Sequence, residues 1–110
     1  MKLLLDENLP TKLKASFSSQ HKVLTVKDQD WSGTKNGQLI RLMQESGFDG
    51  LITVDKNMQY QQNTDFLEMQ LFVLNASNNK LSTLKPYVEK LEELLSDLPP
   101  ERVILVEVGQ

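Results

Sequence analysis

Two rhythms alternate along the chain: short uninterrupted apolar runs, and longer stretches in which apolar residues return every three or four positions. The opening run Leu3-Leu4-Leu5 is apolar on both alternating faces, which predicts a buried strand of a parallel sheet. Pro10 suits a first helical turn, and Leu9, Leu13 and Phe17 share one face, predicting a helix that Ser18-Ser19-Gln20 breaks. Residues 21–26 predict a second strand carrying Val23, Leu24 and Val26, followed by a polar loop over 28–37 punctuated by Gly33 and Gly37. Leu39, Ile40, Leu42 and Met43 predict an amphipathic helix that Gly47 can terminate. Residues 50–54 predict a third strand ending at Asp55. A polar stretch with a short helix over 58–66 then leads to a fourth strand at 70–74. Leu84, Val88, Leu91, Leu95 and Leu98 keep helical spacing, and Pro99-Pro100 stops that helix. Pro86 falls in its first turn if the helix begins near Thr83, and inside it if the helix begins near Lys80. Residues 103–108 predict a fifth strand. Five strands separated by helices predict an α/β fold: a Rossmann-like three-layer sandwich with a mainly parallel five-stranded sheet.

Composition narrows this picture only a little. A chain of 110 residues buries about 65% of its unfolded surface on the usual size scaling, enough for a single domain over 1–110. Hydrophobic content of 39% and charged content of 25% are ordinary for a globular protein. The absence of cysteine excludes disulfides and thiolate zinc sites and makes a cytoplasmic location the expectation. No apolar run approaches the ~20 residues of a membrane span. The opening is too short for a signal peptide, so no membrane association is expected. A net charge of −3 argues against broad electrostatic binding to nucleic acid.

The chemistry collects where the strands stop. The first strand ends in Asp6 and Glu7, the second leads to Asp28 and Asp30, the third ends at Asp55, and the fourth leads to Asn75, Ser77 and Asn78. Open α/β sheets bind ligands at the carboxyl ends of their strands. Turn preference explains Asp28, Asp30 and the 75–79 stretch equally well. It explains Asp6, Glu7 and Asp55 less well, because each closely follows a buried strand. Carboxylate oxygens without His or Cys suit Mg²⁺ or Mn²⁺. No glycine-rich fingerprint follows the first strand, which argues against a dinucleotide or P-loop site. Trp31 is placed to stack on a base or to anchor its loop. Tyr60 lies in a polar cluster that faces either substrate or solvent. Lys27, Lys35, Lys56 and Lys80 fall in loops at the same edge and are candidates for a basic rim on phosphates.

The motifs KLLLDENLP, TVKDQDWSG and LITVDKN, in that order and spacing, resemble those of the small bacterial PIN-like proteins related to toxin-type PIN ribonucleases. The resemblance implies a PIN-type sheet and a Mg²⁺- or Mn²⁺-dependent site for phosphodiester hydrolysis of RNA. It also implies pairing with a small antitoxin protein, and it leaves a homodimer open. The matching acids are Asp6, Glu7 and Asp55. Many relatives carry acids where this chain has Asn36 and Asn57; these amides are expected as secondary oxygen donors, at a cost in charge that weakens a second metal.

Two other readings fit the same residues. The amide replacements are consistent with a catalytically silent partner-binding module. Acids after strand one and a lone Asp55 after strand three also resemble a phospho-acceptor receiver, with Asp55 as acceptor. Receivers place a lysine just after the last strand, and this chain has Glu107-Val108-Gly109-Gln110 there.

Overall fold

The computed structural model describes residues 1–57 and 69–108. The expected helix over 58–66 and Tyr60 lie outside the described residues. Five parallel strands, β1 (Lys2–Leu5), β2 (Lys22–Thr25), β3 (Gly50–Thr53), β4 (Gln70–Leu74) and β5 (Val103–Val106), form one sheet in the order β2-β1-β3-β4-β5. This is the Rossmann-like three-layer α/β sandwich expected from the alternation. The strand order reverses between β1 and β3, which makes the gap between their carboxyl ends the topological switch point of the sheet.

The two-residue period of each strand divides the core between two faces. Leu3, Leu5, Ile52, Phe72 and Leu74 pack against Leu84, Val88, Leu91 and Leu95 of helix α2 (Leu81–Ser96). Leu4, Leu51, Leu71 and Val73 pack against Leu39, Ile40 and Met43 of helix α1 (Asn36–Glu45). α1 ends where expected, with Gly47 at φ +76° just past its last turn. Pro86 lies inside α2, which begins at Leu81, so the helix forgoes the bond from that nitrogen to the Ser82 carbonyl.

Gly50 has a packing reason of its own. A Cβ there would meet Phe72 Cε2 at 2.8 Å, Leu3 Cδ2 at 3.1 Å and the Gln70 carbonyl at 3.2 Å. Only glycine lets β3 lie this close to its neighbours at the amino end of the sheet.

One element differs in kind from expectation. The segment after β1 is a 3-10 helix over Thr11–Ser16, not an α-helix. Leu9 and Leu13 are buried and Phe17 packs beside them, as their spacing requires. Leu13 N–H and Phe17 N–H bond three residues back, to Pro10 and Lys14. A 3-10 turn rises ~2.0 Å per residue against ~1.5 Å for an α-helix, so few residues carry the chain back along the sheet to β2. No helix among the described residues is long and apolar enough to cross a membrane.

Candidate functional site

Register assembles the site. Leu5 pairs with Ile52, and the Asp6 N–H continues the ladder to the Ile52 carbonyl at 2.9 Å. Asp6 and Thr53 therefore follow the parity of Leu4 and Leu51 and share a face at the end of two adjacent strands. The Thr53 hydroxyl donates to Asp6 Oδ2 at 2.8 Å and accepts the Asp55 N–H at 3.0 Å. One buried hydroxyl thus links the two acids that the switch point brings together. Asp6 Oδ1 accepts the Glu7 N–H at 2.8 Å, and Leu9 N–H closes the turn on the Asp6 carbonyl at 3.0 Å. Among the described residues the buried polar side chains are Asp6, Thr25 and Thr53, which stand at the carboxyl ends of β1, β2 and β3.

Burial pushes the Asp6 carboxyl above its ordinary value of 3.8. The Thr53 hydroxyl and Glu7 N–H act in the opposite direction by stabilising the anion, and the charges of Asp55 and Glu7 raise it further. A buried carboxylate facing two other acids is stabilised by a cation or a proton. Ionised, it offers about four lone-pair directions, of which protein donors take two.

The other expected residues separate into groups. Glu7 is exposed and its carboxylate turns to the β2–α1 loop, where both oxygens accept the Gly33 N–H, at 3.0 and 3.3 Å. It is close enough to act on Asp6 by its charge, but it is not gathered with Asp55 into one donor set. Among the described residues no three His, Cys, Asp or Glu side chains are grouped to hold a metal ion. Asp55 is half-buried and its Oδ1 accepts the Asn57 N–H at 3.0 Å, which fixes the turn after β3. Asn57 is exposed on that turn, and Asn36 is the first residue of α1.

Trp31 anchors its loop: the ring packs on Phe48 with centroids 5.8 Å apart, and the Trp31 backbone N–H donates to the Val26 carbonyl at 3.0 Å. Asp28 accepts the Thr25 N–H at 2.9 Å and the Lys14 ammonium at 2.8 Å. Asp30 holds a left-handed turn at φ 59°. The Asn75–Asn79 stretch is tied down as well. The Tyr87 hydroxyl donates to the Asn75 carbonyl at 2.7 Å, and Asn79 Nδ2 to the Asn8 carbonyl at 2.9 Å.

The four lysines of the expected rim are not equivalent. Lys56 reaches across to the Ala76 carbonyl at 3.1 Å, and Lys35 and Lys80 are exposed just before α1 and α2. Lys27 lines a cavity with Asp6, Glu7 and Ser32.

Two hollows flank the acids. An open cleft of about 410 Å³ is lined by Asn8, Asp55, Ser77, Asn78 and Asn79 on the β3–β4 side. A smaller cavity of about 160 Å³ lies on the β2 side, against Asp6, Glu7 and Lys27.

Thr53 is the residue that counting acids misses. Its signal in the chain is a lone polar side chain ending a buried strand, in phase with Asp55 two positions later. No family model matches the chain, and no curated protein or solved structure matches it either.

Proposed function

We propose that the chain is a metal-dependent ribonuclease of the PIN type, built around Asp6 and Asp55. The observation that carries this reading is the buried Asp6 carboxylate at the switch point, tied through the Thr53 hydroxyl to the Asp55 backbone and acted on by the Asp55 charge, where open α/β sheets take ligands. Mg²⁺ and Mn²⁺ sites of this class need one or two carboxylates and are completed by water and substrate phosphate. Asp6 and Asp55 would supply those carboxylates. Glu7 does so only after leaving Gly33, and Asn36 and Asn57 stand as secondary donors. When bound, the ion supplies Lewis-acid polarisation of a phosphoryl oxygen and a water of lowered pKa. Asp6 would be the ionisable anchor, with Thr53 occupying one lone pair of its Oδ2, and Asp55 would be the second carboxylate. Glu7, once released from the Gly33 N–H, would orient an attacking water. A small antitoxin protein covering this edge is the partner that the reading implies.

The decisive experiment combines stability and turnover. Millimolar Mn²⁺ should raise the melting temperature through preferential binding to the native state, and the protein should then cleave RNA. Asp6→Asn and Asp55→Asn should abolish both effects. A melting temperature indifferent to Mn²⁺, with RNA left intact, would replace this reading by the silent partner-binding module.

Phospho-acceptor chemistry at Asp55 is a second reading, favoured by the flavodoxin-like strand order. Against it, Glu107 follows β5 where a receiver has lysine, and its carboxylate accepts Asn75 Nδ2 at 3.1 Å. Incubation with acetyl phosphate and Mg²⁺, read by mass, separates the two: a phosphoryl adduct lost in Asp55→Asn would establish the receiver.

A further inference from the structure

The cavity against Asp6 does not end at the acids. It shares Thr11, Thr25 and Lys27 with a neighbouring cleft of about 330 Å³, whose outer wall is the 3-10 helix carrying Lys12 and Lys14. The two hollows adjoin at these three shared residues. Three ammonium groups line the outer cleft against a single carboxylate, Asp28, in a chain whose net charge is −3. That carboxylate is already engaged, on the Lys14 ammonium and the Thr25 N–H. The cleft on the Asp55 side is lined by Asn8, Asp55, Ser77, Asn78 and Asn79, and the Lys56 ammonium at its wall is engaged on the Ala76 carbonyl at 3.1 Å. Lysine side chains line the β2-side approach, whereas acid, amide and hydroxyl side chains line the other.

We infer that the Thr11–Lys12–Lys14–Lys27 cleft binds the phosphates of a single-stranded RNA and leads that strand to Asp6. The inference rests on the nuclease reading above and names the path its substrate takes. Three features make it a phosphate path. Lys12 and Lys27 provide positive charge, and the Thr11 hydroxyl is a donor on the same wall. Lys14 is held in place by Asp28, which the backbone of β2 holds in turn. The 3-10 helix itself is seated by buried Leu13, so the lysines ride on a packed element rather than a loose loop.

The test measures binding without turnover. Affinity for a fluorescent oligouridylate is followed by anisotropy in EDTA across a salt series, for wild type, Lys12→Ala, Lys27→Ala and Lys22→Ala. Lys22 stands at the amino end of β2, outside the cleft, and serves as the control for loss of one charge. Melting temperatures verify that each variant is folded. A lysine that neutralises one phosphate of a single strand contributes about 0.7 to the slope of log K against log salt. Lys12→Ala and Lys27→Ala should each lower the slope by about that amount, and Lys22→Ala should leave it unchanged. Equal slopes in all four proteins, or no binding at low salt, would overturn the path. Binding of an acidic peptide through Lys12 and Lys27, with no change in the RNA slopes, would also overturn it in favour of a protein partner. Cleavage failing while the slopes change would refute the nuclease reading and leave the path standing; cleavage with unchanged slopes would do the reverse.

Discussion

Asp6 and Asp28 lie beyond the ends of two neighbouring strands, and each accepts one backbone N–H and one side-chain donor. Their electrostatic situations are opposite. Asp28 is exposed at the surface beside Lys14, and that hydrogen bond, with help from the Thr25 N–H, holds its carboxyl below the ordinary value of 3.8. Asp6 is buried among acids, and burial pushes it up. The difference separates a carboxylate whose charge is answered within the fold from one whose charge is left unanswered. A structural turn needs the first kind. A site that recruits a cation needs the second.

The comparison breaks most severely at Thr53, because that hydroxyl makes Asp6 tolerable. Thr53→Val keeps the shape but leaves Asp6 Oδ2 and the Asp55 N–H without partners in a buried setting. We expect a loss of about 1–3 kcal/mol in denaturant unfolding and a drop in Mn²⁺ affinity of about 10–100-fold. Thr53→Ser retains donor and acceptor and should recover most of the Mn²⁺ affinity. Equal Mn²⁺ affinity in the valine and serine variants would show that the hydroxyl does not orient Asp6.

Acidity sharpens the same contrast. Asp6 has a folded pKa above its unfolded value, so the folded form holds its proton more tightly. Its ionisation removes stability as pH rises from the unfolded value through the raised one. The stability of wild type minus that of Asp6→Asn should therefore fall as pH increases across that window, with metal removed by EDTA. Asp28 has the opposite sign: its contribution is present above 3.8 and is lost as pH falls through the lowered value. Urea unfolding of both asparagine variants against pH should give difference curves of opposite slope. Parallel curves would mean the two acids are electrostatically alike.

The smallest effect belongs to Asp28→Asn at neutral pH. The amide still accepts the Thr25 N–H, so only the exposed pair with Lys14 is lost, at a cost of about 0.2–1 kcal/mol that shrinks with added salt. RNA cleavage should survive this change, whereas Asp6→Asn should eliminate it. A cleavage loss in Asp28→Asn would move Asp28 from the turn into the site.

Much of this architecture is legible in the chain itself. Strand positions follow from the apolar runs, because a buried parallel strand must be apolar on both faces. The placement of Asp6 and Asp55 at one edge follows from those strands ending where they do. Contact across strands is what a linear chain conceals. The Asp6–Thr53 bond depends on which residue of β3 stands beside Asp6, and strand pairing alone decides that. Adjacency in the chain makes Glu7 look like a companion of Asp6; the turn at residues 7–9 sends it to Gly33 instead. Lys12 and Lys14 fall where the apolar spacing predicts an amphipathic α-helix. The tighter 3-10 geometry sets them on the wall of a cleft, together with Lys27 from the other side of β2. Trp31 shows the same limit from the opposite direction, since only the packing on Phe48 separates an anchor from a stacking platform.

Gly50 gives the sheet an uneven tolerance to change. Side chains at its amino end interlock so closely that a methyl group is refused there, while the carboxyl end of the neighbouring strand holds a charge whose removal relieves the fold. On such a sheet Asp6→Asn would retire the proposed chemistry without endangering the scaffold, whereas Gly50 cannot vary without remodelling its neighbours. A lineage of these chains would be expected to lose its acids before it loses its glycine, leaving inert descendants that keep the architecture.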